Sequence, residues 1–206
     1  MNKVEKAFFC SNCGAEHSKW QGQCNSCKSW NTLVEEIIKN PNKKEWKSKN
    51  INGYSSKPIH IKNITSKTID KISSGDKELD RVLGGGIVPG SLVLLGGEPG
   101  IGKSTLLMQV ANSVNGKVVY VSGEESEQQI KLRSERVNKY ESDCYLLSET
   151  NTQTLLTHLD NLNPSLVIID SIQTLYSGLI DSSPGSVGQI RTCTAELIHY
   201  AKQTHT

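Results

Sequence analysis

No run of some 18 apolar residues occurs anywhere in this chain. The longest apolar strings are short, such as Leu92 to Leu95 and Leu166 to Ile169. A membrane-spanning helix is therefore excluded, and no membrane partner is expected. The beginning of the chain also lacks the apolar core of an export signal. Lys3, Glu5 and Lys6 are followed only by Ala7-Phe8-Phe9 before Cys10, so the expected compartment is the cytoplasm. A dispersed cysteine framework is missing too: four of the six cysteines fall within the first 27 residues. In a reducing compartment that clustering indicates metal before disulfide. Nor is there a strong excess of one charge, the net value being +2. The balance is uneven along the chain, however. Residues 1–80 hold 14 lysines against nine acids, and residues 81–206 hold nine basic residues against 12 acids. With 206 residues, there is room for one domain of about 150 residues and a small module.

Three parts are legible: a cysteine module over 1–36, a linker over 37–65, and an α/β domain over 66–206. Between Lys39 and Lys62 seven lysines face one acid, Glu45. Such a stretch is a solvated linker or a phosphate-attracting contact for nucleic acid. In the third part, strand-like and helix-like segments alternate. Ser91–Leu95 reads as a strand, Thr105–Val114 as a helix, Lys117–Ser122 as a strand and Glu124–Asn138 as a helix. Cys144–Leu147 (strand), Thr152–Leu162 (helix), Leu166–Ile169 (strand) and Gln189–Gln203 (helix) follow. This order predicts crossover connections and a mainly parallel sheet. A final helix with no strand after it leaves that sheet looking unfinished.

Gly97-Glu98-Pro99-Gly100-Ile101-Gly102-Lys103-Ser104 fits the phosphate-loop pattern and sits between a strand and a helix, as that loop must. The glycines let the backbone wrap an anion. The helix N-terminus contributes amides and a dipole. Lys103 is the candidate for the β/γ-phosphates and Ser104 for Mg²⁺, with Thr105 a second candidate beside it. Asp170, at the end of a buried apolar strand, is positioned to orient Mg²⁺. Glu124 and Glu125 close another strand and are candidates for activating water, Glu124 the preferred one. No base-recognition motif of the GTPase type follows the loop, so ATP is the expected nucleotide.

Cys10, Cys13, Cys24 and Cys27 form two CxxC knuckles separated by ten residues. Four thiolates in tetrahedral array suit a closed structural Zn²⁺ site. Disulfides or an iron–sulfur cluster are the alternatives. His17 lies between the pairs and is left out of the ligand set, which is already full. Cys144 reads as inert core, and Cys193 has no neighbouring partner. Trp20 and Trp30 flank the second knuckle and either pack over it or stack on bases.

Taken together, Cys10-Ser-Asn-Cys13-Gly, Gln21-Gly-Gln-Cys24-Asn-Ser-Cys27-Lys-Ser-Trp30, Ser74-Gly-Asp-Lys-Glu-Leu-Asp80, Gly97-Glu-Pro-Gly-Ile-Gly-Lys-Ser104, Tyr120-Val-Ser-Gly-Glu-Glu-Ser126 and Ile168-Ile-Asp-Ser-Ile-Gln-Thr174 resemble the RadA (Sms) family of bacterial DNA repair proteins, in its N-terminal portion. The resemblance covers essentially the whole chain apart from the lysine-rich stretch. It implies a RecA-like P-loop ATPase core behind a four-cysteine zinc ribbon. It also implies a DNA-dependent ATPase of the branch-migration helicase type, extending strand exchange begun by RecA and forming homo-hexameric rings on single-stranded and branched DNA. By motif matching it makes Lys103 the phosphate-loop lysine, Glu124 the water-activating acid, Asp170 the Mg²⁺-orienting acid, and Cys10, Cys13, Cys24 and Cys27 the zinc ligands. Family members carry further core strands, a Lys-Asn-Arg-Phe-Gly motif and a Lon-protease-like domain beyond this region. A zinc-, nucleotide- and DNA-binding module without autonomous motor activity is the first alternative. A KaiC-like ATPase is the second, and the N-terminal ribbon argues against it.

Overall fold

The computed structural model describes residues 5–38, 58–63, 69–137 and 143–206. Most of the expected linker, including residues 39–57, lies outside the described residues, as does Asn138.

At the front, β1 (Glu5–Cys10), β2 (Glu16–His17) and β3 (Leu33–Ile38) form an antiparallel sheet in the order β2-β1-β3. The register places Cys10 opposite Leu33 and Phe8 opposite His17. Its core is small: Cys10, Cys24 and Leu33, with Phe8, Ala15 and Cys27 packed around them.

The rest is an α/β unit built on a parallel sheet. Its strands are β4 (Val118–Ser122), β5 (Cys144–Leu147) and β6 (Leu166–Asp170), ordered β5-β4-β6. The helices are α1 (Lys77–Val82), α2 (Lys103–Ser113), α3 (Glu127–Val137), α4 (Thr152–Leu162) and α5 (Val187–Thr204). β4 is central and wholly buried. Successive side chains on a strand point to opposite faces, and β4 uses both. Val118 and Tyr120 join Met108, Val110, Ala111 and Ile130 of α2 and α3. Val119 and Val121 join Leu155, Leu159, Cys193 and Leu197 of α4 and α5. Each large aliphatic side chain among these contributes roughly 1.5–3 kcal/mol on burial, which is why a valine-rich run takes the middle of the sheet.

The local signals explain the boundaries. Asn151 caps α4 by accepting from the Thr154 amide at 2.9 Å, and Ser186 caps α5 through the Gln189 amide. The expected helix from Glu124 starts later, at Glu127. Ser126 and Gln129 form a reciprocal capping box there: the Ser126 amide donates to Gln129 Oε1 at 2.9 Å and the Gln129 amide to Ser126 Oγ at 3.4 Å. Residues 123–125 are thereby left in the turn between β4 and α3. Helix α1 has no counterpart in the sequence reading. It is six residues long and buries none of them, so it carries no apolar stripe.

One expected strand does not form. Ser91–Leu95 has no regular secondary structure and joins no ladder among the described residues. Leu92, Val93, Leu94 and Leu95 are all exposed, Leu94 to 80%. A strand exists only with a hydrogen-bonded neighbour, and β6 is paired on its β4 side alone. At one end of this unfilled edge, Thr206 touches both flanks. Its carbonyl accepts from the Gly90 amide at 3.1 Å and its hydroxyl donates to Pro164 O at 3.2 Å.

Candidate functional site

The sheet order decides where ligands can sit. From β4 the chain goes through α3 to β5 on one side, then back through α4 to β6 on the other. That reversal makes a switch point between β4 and β6, and open α/β sheets bind ligands in the crevice beyond the carboxyl ends at such a point. Ser122 of β4 is in register with Asp170 of β6. The acids singled out in the sequence follow immediately, Glu124 and Glu125 in the turn after β4.

These groups are tied to one another. Ser122 Oγ accepts from the Glu125 amide at 3.1 Å, which pins the turn. Glu124 Oε1 accepts from Ser171 Oγ at 3.2 Å. Tyr120, fully buried on β4, donates its hydroxyl to Asp170 Oδ2 at 2.6 Å. Burial, and then the Asp170 carboxylate, push the Tyr120 phenol far above its usual range, so it acts as a fixed donor. Arg133 of α3 contacts Glu125 Oε1 through Nη2, and its Nη1 lies 3.7 Å from Asp170 Oδ2. Tyr120, Ser122 and Arg133 were missed by the sequence reading. Ser122 could have been found as the last strand residue before the acidic turn. Arg133 could have been found as a base on the second turn of α3, since helix side chains lean toward the N-terminus.

The phosphate loop lies exposed in front of α2. Gly100 and Gly102 have φ of +79° and +101°, which only glycine adopts without strain. A Cβ built at either would meet nothing within 4 Å, so these positions face open space rather than protein. Unlike α1, α4 and α5, helix α2 has no side-chain cap at its N-terminus. Its first amides are left to an external acceptor. Lys103 Nζ donates to Gly97 O at 2.9 Å and Glu98 O at 2.8 Å, so the ammonium is held across the loop mouth. Ser104 is half-buried behind it and Thr105 is exposed. Uncapped amides and a poised ammonium fit a polyphosphate, and carboxylates and a serine hydroxyl of the kind found at Asp170, Glu124 and Ser104 are the hard oxygen donors Mg²⁺ prefers.

In the ribbon, the Sγ atoms of Cys10, Cys13, Cys24 and Cys27 all lie within 4.8 Å of one another. The Cys10–Cys27 and Cys13–Cys24 separations are both 3.6 Å. A tetrahedron with metal–sulfur bonds of about 2.3 Å has edges of about 3.8 Å, so one four-coordinate ion fits. The separations exceed a disulfide bond of about 2.05 Å. A cluster of several irons would spread the thiolates over several metals rather than gather them around one point. The two knuckles are built alike: Cys10 O accepts from the Gly14 amide at 2.8 Å and Cys24 O from the Lys28 amide at 2.9 Å. The Ser29 hydroxyl and amide hold the Cys27 thiol down at about 5 and Thr32 lowers Cys10, while at Cys13 the Ala15 amide is outweighed by burial and the three neighbouring cysteines, which push it up to about 11, so without a metal the four sulfurs share their protons unevenly. His17 stays outside the set, its Nε2 3.4 Å from Cys24 Sγ and its Nδ1 bonded to Gln21. Trp20 and Trp30 do not pack over the ribbon. They are 60% and 70% exposed, because the thiolate cluster and Leu33 already fill the small interior. Elsewhere, burial raises both Cys144 and Cys193 to about 11, which keeps them protonated at neutral pH. Arg191 of α5 donates to Gly14 O at 3.3 Å, so the first knuckle rests on α5.

Comparison with known proteins agrees with this anatomy. A family model described as an AAA domain matches residues 57–205, and one described as a rubredoxin metal binding domain matches residues 8–35. The chain is 45% identical over 206 residues to the DNA repair protein RadA of Streptococcus pyogenes serotype M1, covering 98% of this chain and 45% of that protein. The figures for RadA of Bacillus subtilis (strain 168) are 45% over 207 residues, with the same coverage. For RadA of Listeria monocytogenes serovar 1/2a they are 47% over 198 residues, covering 95% and 43%. The chain thus spans somewhat under half the length of these relatives. No described helix is long and apolar enough to cross a membrane. With a four-cysteine ribbon ahead of a parallel-sheet core, the chain belongs to the AAA-domain family, and its likeness to the RadA proteins is to their N-terminal portion.

Proposed function

We propose that this chain is the nucleotide-binding and hydrolysing part of a RadA-type DNA repair ATPase that carries a structural zinc ribbon. The observation that carries this reading is the uncapped N-terminus of α2, opened by left-handed Gly100 and Gly102, on the same domain as the carboxylates of the β4/β6 switch point.

The residues divide the work. The backbone amides of 97–102 and of the first turn of α2 bind phosphate oxygens. Lys103 exchanges the Gly97 and Glu98 carbonyls for the β- and γ-phosphates. Ser104 and Asp170 would hold Mg²⁺, with Thr105 the second hydroxyl candidate. When bound, Mg²⁺ neutralises charge on the phosphate oxygens. Glu124 orients a water and takes its proton at the carboxylate, while Ser171 fixes the rotamer of that carboxylate. In the ribbon, Zn²⁺ on the four thiolates fixes the two knuckles.

The names of the relatives and the chain's chemistry support a DNA substrate. The lysine-rich segment can follow phosphates, and the exposed indoles of Trp20 and Trp30 can stack on bases. On this reading the complete assembly is a homo-hexamer that acts with RecA recombinase on single-stranded and branched DNA, driving branch migration after strand exchange. A second reading is a zinc-, nucleotide- and DNA-binding module without motor activity of its own. The unpaired, exposed run Leu92–Leu95 just before the phosphate loop favours it.

Steady-state ATP hydrolysis by the metal-loaded chain, with and without single-stranded DNA, separates the two. DNA-stimulated turnover that Lys103→Ala abolishes, at unchanged zinc content, is the expected result. Turnover that survives Lys103→Ala would refute the site. Nucleotide binding without turnover would favour the binding module.

A further inference from the structure

Among the described charged side chains around the crevice, Arg133 and its partner Glu125 are given no task by the ATPase scheme above. Its guanidinium joins two acids from different strand ends. Nη2 contacts Glu125 Oε1, and Nη1 lies 3.7 Å from Asp170 Oδ2. All three side chains are largely withdrawn from solvent, at 22%, 33% and 21% exposure. Glu125 Oε2 and Arg133 Nη1 are buried without a hydrogen-bond partner. Buried polar atoms are rarely left so, and here they lie beside the residues expected to hold Mg²⁺. Tyr120 and Arg133 both approach Asp170 on Oδ2, so one carboxylate oxygen takes both contacts. Glu124 Oε1 accepts from the Ser171 hydroxyl at 3.2 Å and makes no ion pair among the described residues.

We propose that Arg133 is a positioning residue: it clamps Glu125 against the wall of the crevice and sets the orientation in which Asp170 meets the cation, so that Glu124 is the carboxylate left to act on water. The proposal rests on the ATPase reading and deepens it. Its physics is geometric. A planar guanidinium presents two donor edges at fixed angles and can hold two carboxylates at once, whereas an ammonium is a single point of charge on a flexible stem. Glu125, engaged by that fork, cannot also swing to a water. The clamp also explains how two adjacent glutamates acquire different duties: one is paired across to α3, the other faces β6 and its following turn.

The test joins one measurement that needs no nucleotide to one that does. In urea unfolding, Arg133→Met is expected to lower the midpoint, because it leaves the Glu125 carboxylate half-buried and unpaired. Adding Glu125→Gln is expected to restore part of that loss; simply additive losses would overturn the clamp. In titrations of the metal-loaded chain with a fluorescent ATP analogue, Arg133→Met is expected to raise the Mg²⁺ concentration for half-maximal binding by roughly tenfold, the scale of losing a support behind a metal ligand. Hydrolysis is expected to lose kcat with little change in the KM for ATP, and Glu124→Gln to lose more than Glu125→Gln. Arg133→Lys should recover less than half of the Mg²⁺ effect. Full recovery by lysine would mean that charge alone suffices and would overturn the positioning role. Variants that show the unfolding cycle in a chain that, unsubstituted, binds no Mg·ATP would overturn the ATPase reading. One that binds Mg·ATP and is indifferent to substitution at Arg133 overturns the positioning role alone.

Discussion

Replacing Asp80 by Asn probes how the segment ahead of the phosphate loop is fixed. Asp80, on α1, accepts three hydrogen bonds: from the Ser73 hydroxyl at 2.7 Å, the Ser74 amide at 2.8 Å and the Ser74 hydroxyl at 2.7 Å. Ser74 is buried, so its donors have no water to fall back on. The Ser74 hydroxyl, followed by the Ser74 amide and the Ser73 hydroxyl, holds the Asp80 carboxyl below its ordinary value. A hydrogen bond to a charged group is worth about 1.5–3 kcal/mol, but Asp80 is only half-buried and solvent screening cuts that sharply. The amide of Asn also keeps one acceptor oxygen. The expected loss is therefore about 1–2 kcal/mol near neutral pH, read as a lower urea midpoint at unchanged slope. The sign of the pH dependence follows from the lowered value. A carboxylate depressed in the folded state stabilises fully above its unfolded pKa of about 3.9, and that stabilisation is lost as pH falls through the folded value. The gap between the two chains should stay constant from pH 7 to about 5 and close on further acidification. Equal midpoints at pH 7, or a gap that persists in acid, would refute the reasoning.

Two further expectations concern the sites directly. Cys24→Ser, at a fully buried ligand position, should lose the bound metal in elemental analysis and unfold the ribbon, while the helix content of the α/β unit persists in circular dichroism; full metal occupancy would contradict the four-thiolate site, and iron in place of zinc would correct the metal. Gly123→Ala places a Cβ 2.4 Å from Thr174 Oγ1 and 2.8 Å from Thr150 Cγ2, so the acidic turn must shift. ATP hydrolysis should fall by at least roughly tenfold, because a displacement of about 1 Å at a reacting group already costs more than that; unchanged turnover would remove the turn from the mechanism.

Where a segment's structure is decided by its own residues, the sequence was a sufficient guide. Thr152–Leu162 has Asn151 to cap it and Leu155 and Leu159 on one face, and it is a helix over those residues. Cys144–Leu147 is a strand as read. The CxxC knuckles close on local hydrogen bonds, and their four sulfurs converge as the spacing required. Ser91–Leu95 marks where such reading stops. Its apolar run is as strand-like as Leu166–Ile169, but a ladder needs a neighbour, and whether one is present is a non-local fact. The clamp around Asp170 was hidden for the same reason. Tyr120 looked like one more apolar strand residue, and Arg133 like one charge among many on α3 (Glu127–Val137). Only the fold brings them to one carboxylate.

The pairing of β4 with β6 also sets a clock. Tyr120 and Asp170 stand 50 residues apart in the chain, and the phosphate loop is made earlier still. At ribosomal speeds of roughly 5–20 residues per second, Asp170 leaves the ribosome several seconds after Lys103. A nascent chain therefore carries the candidate phosphate loop before it carries Asp170, and the β4–β6 pairing that sets Ser122 against Asp170 can form only after both have emerged.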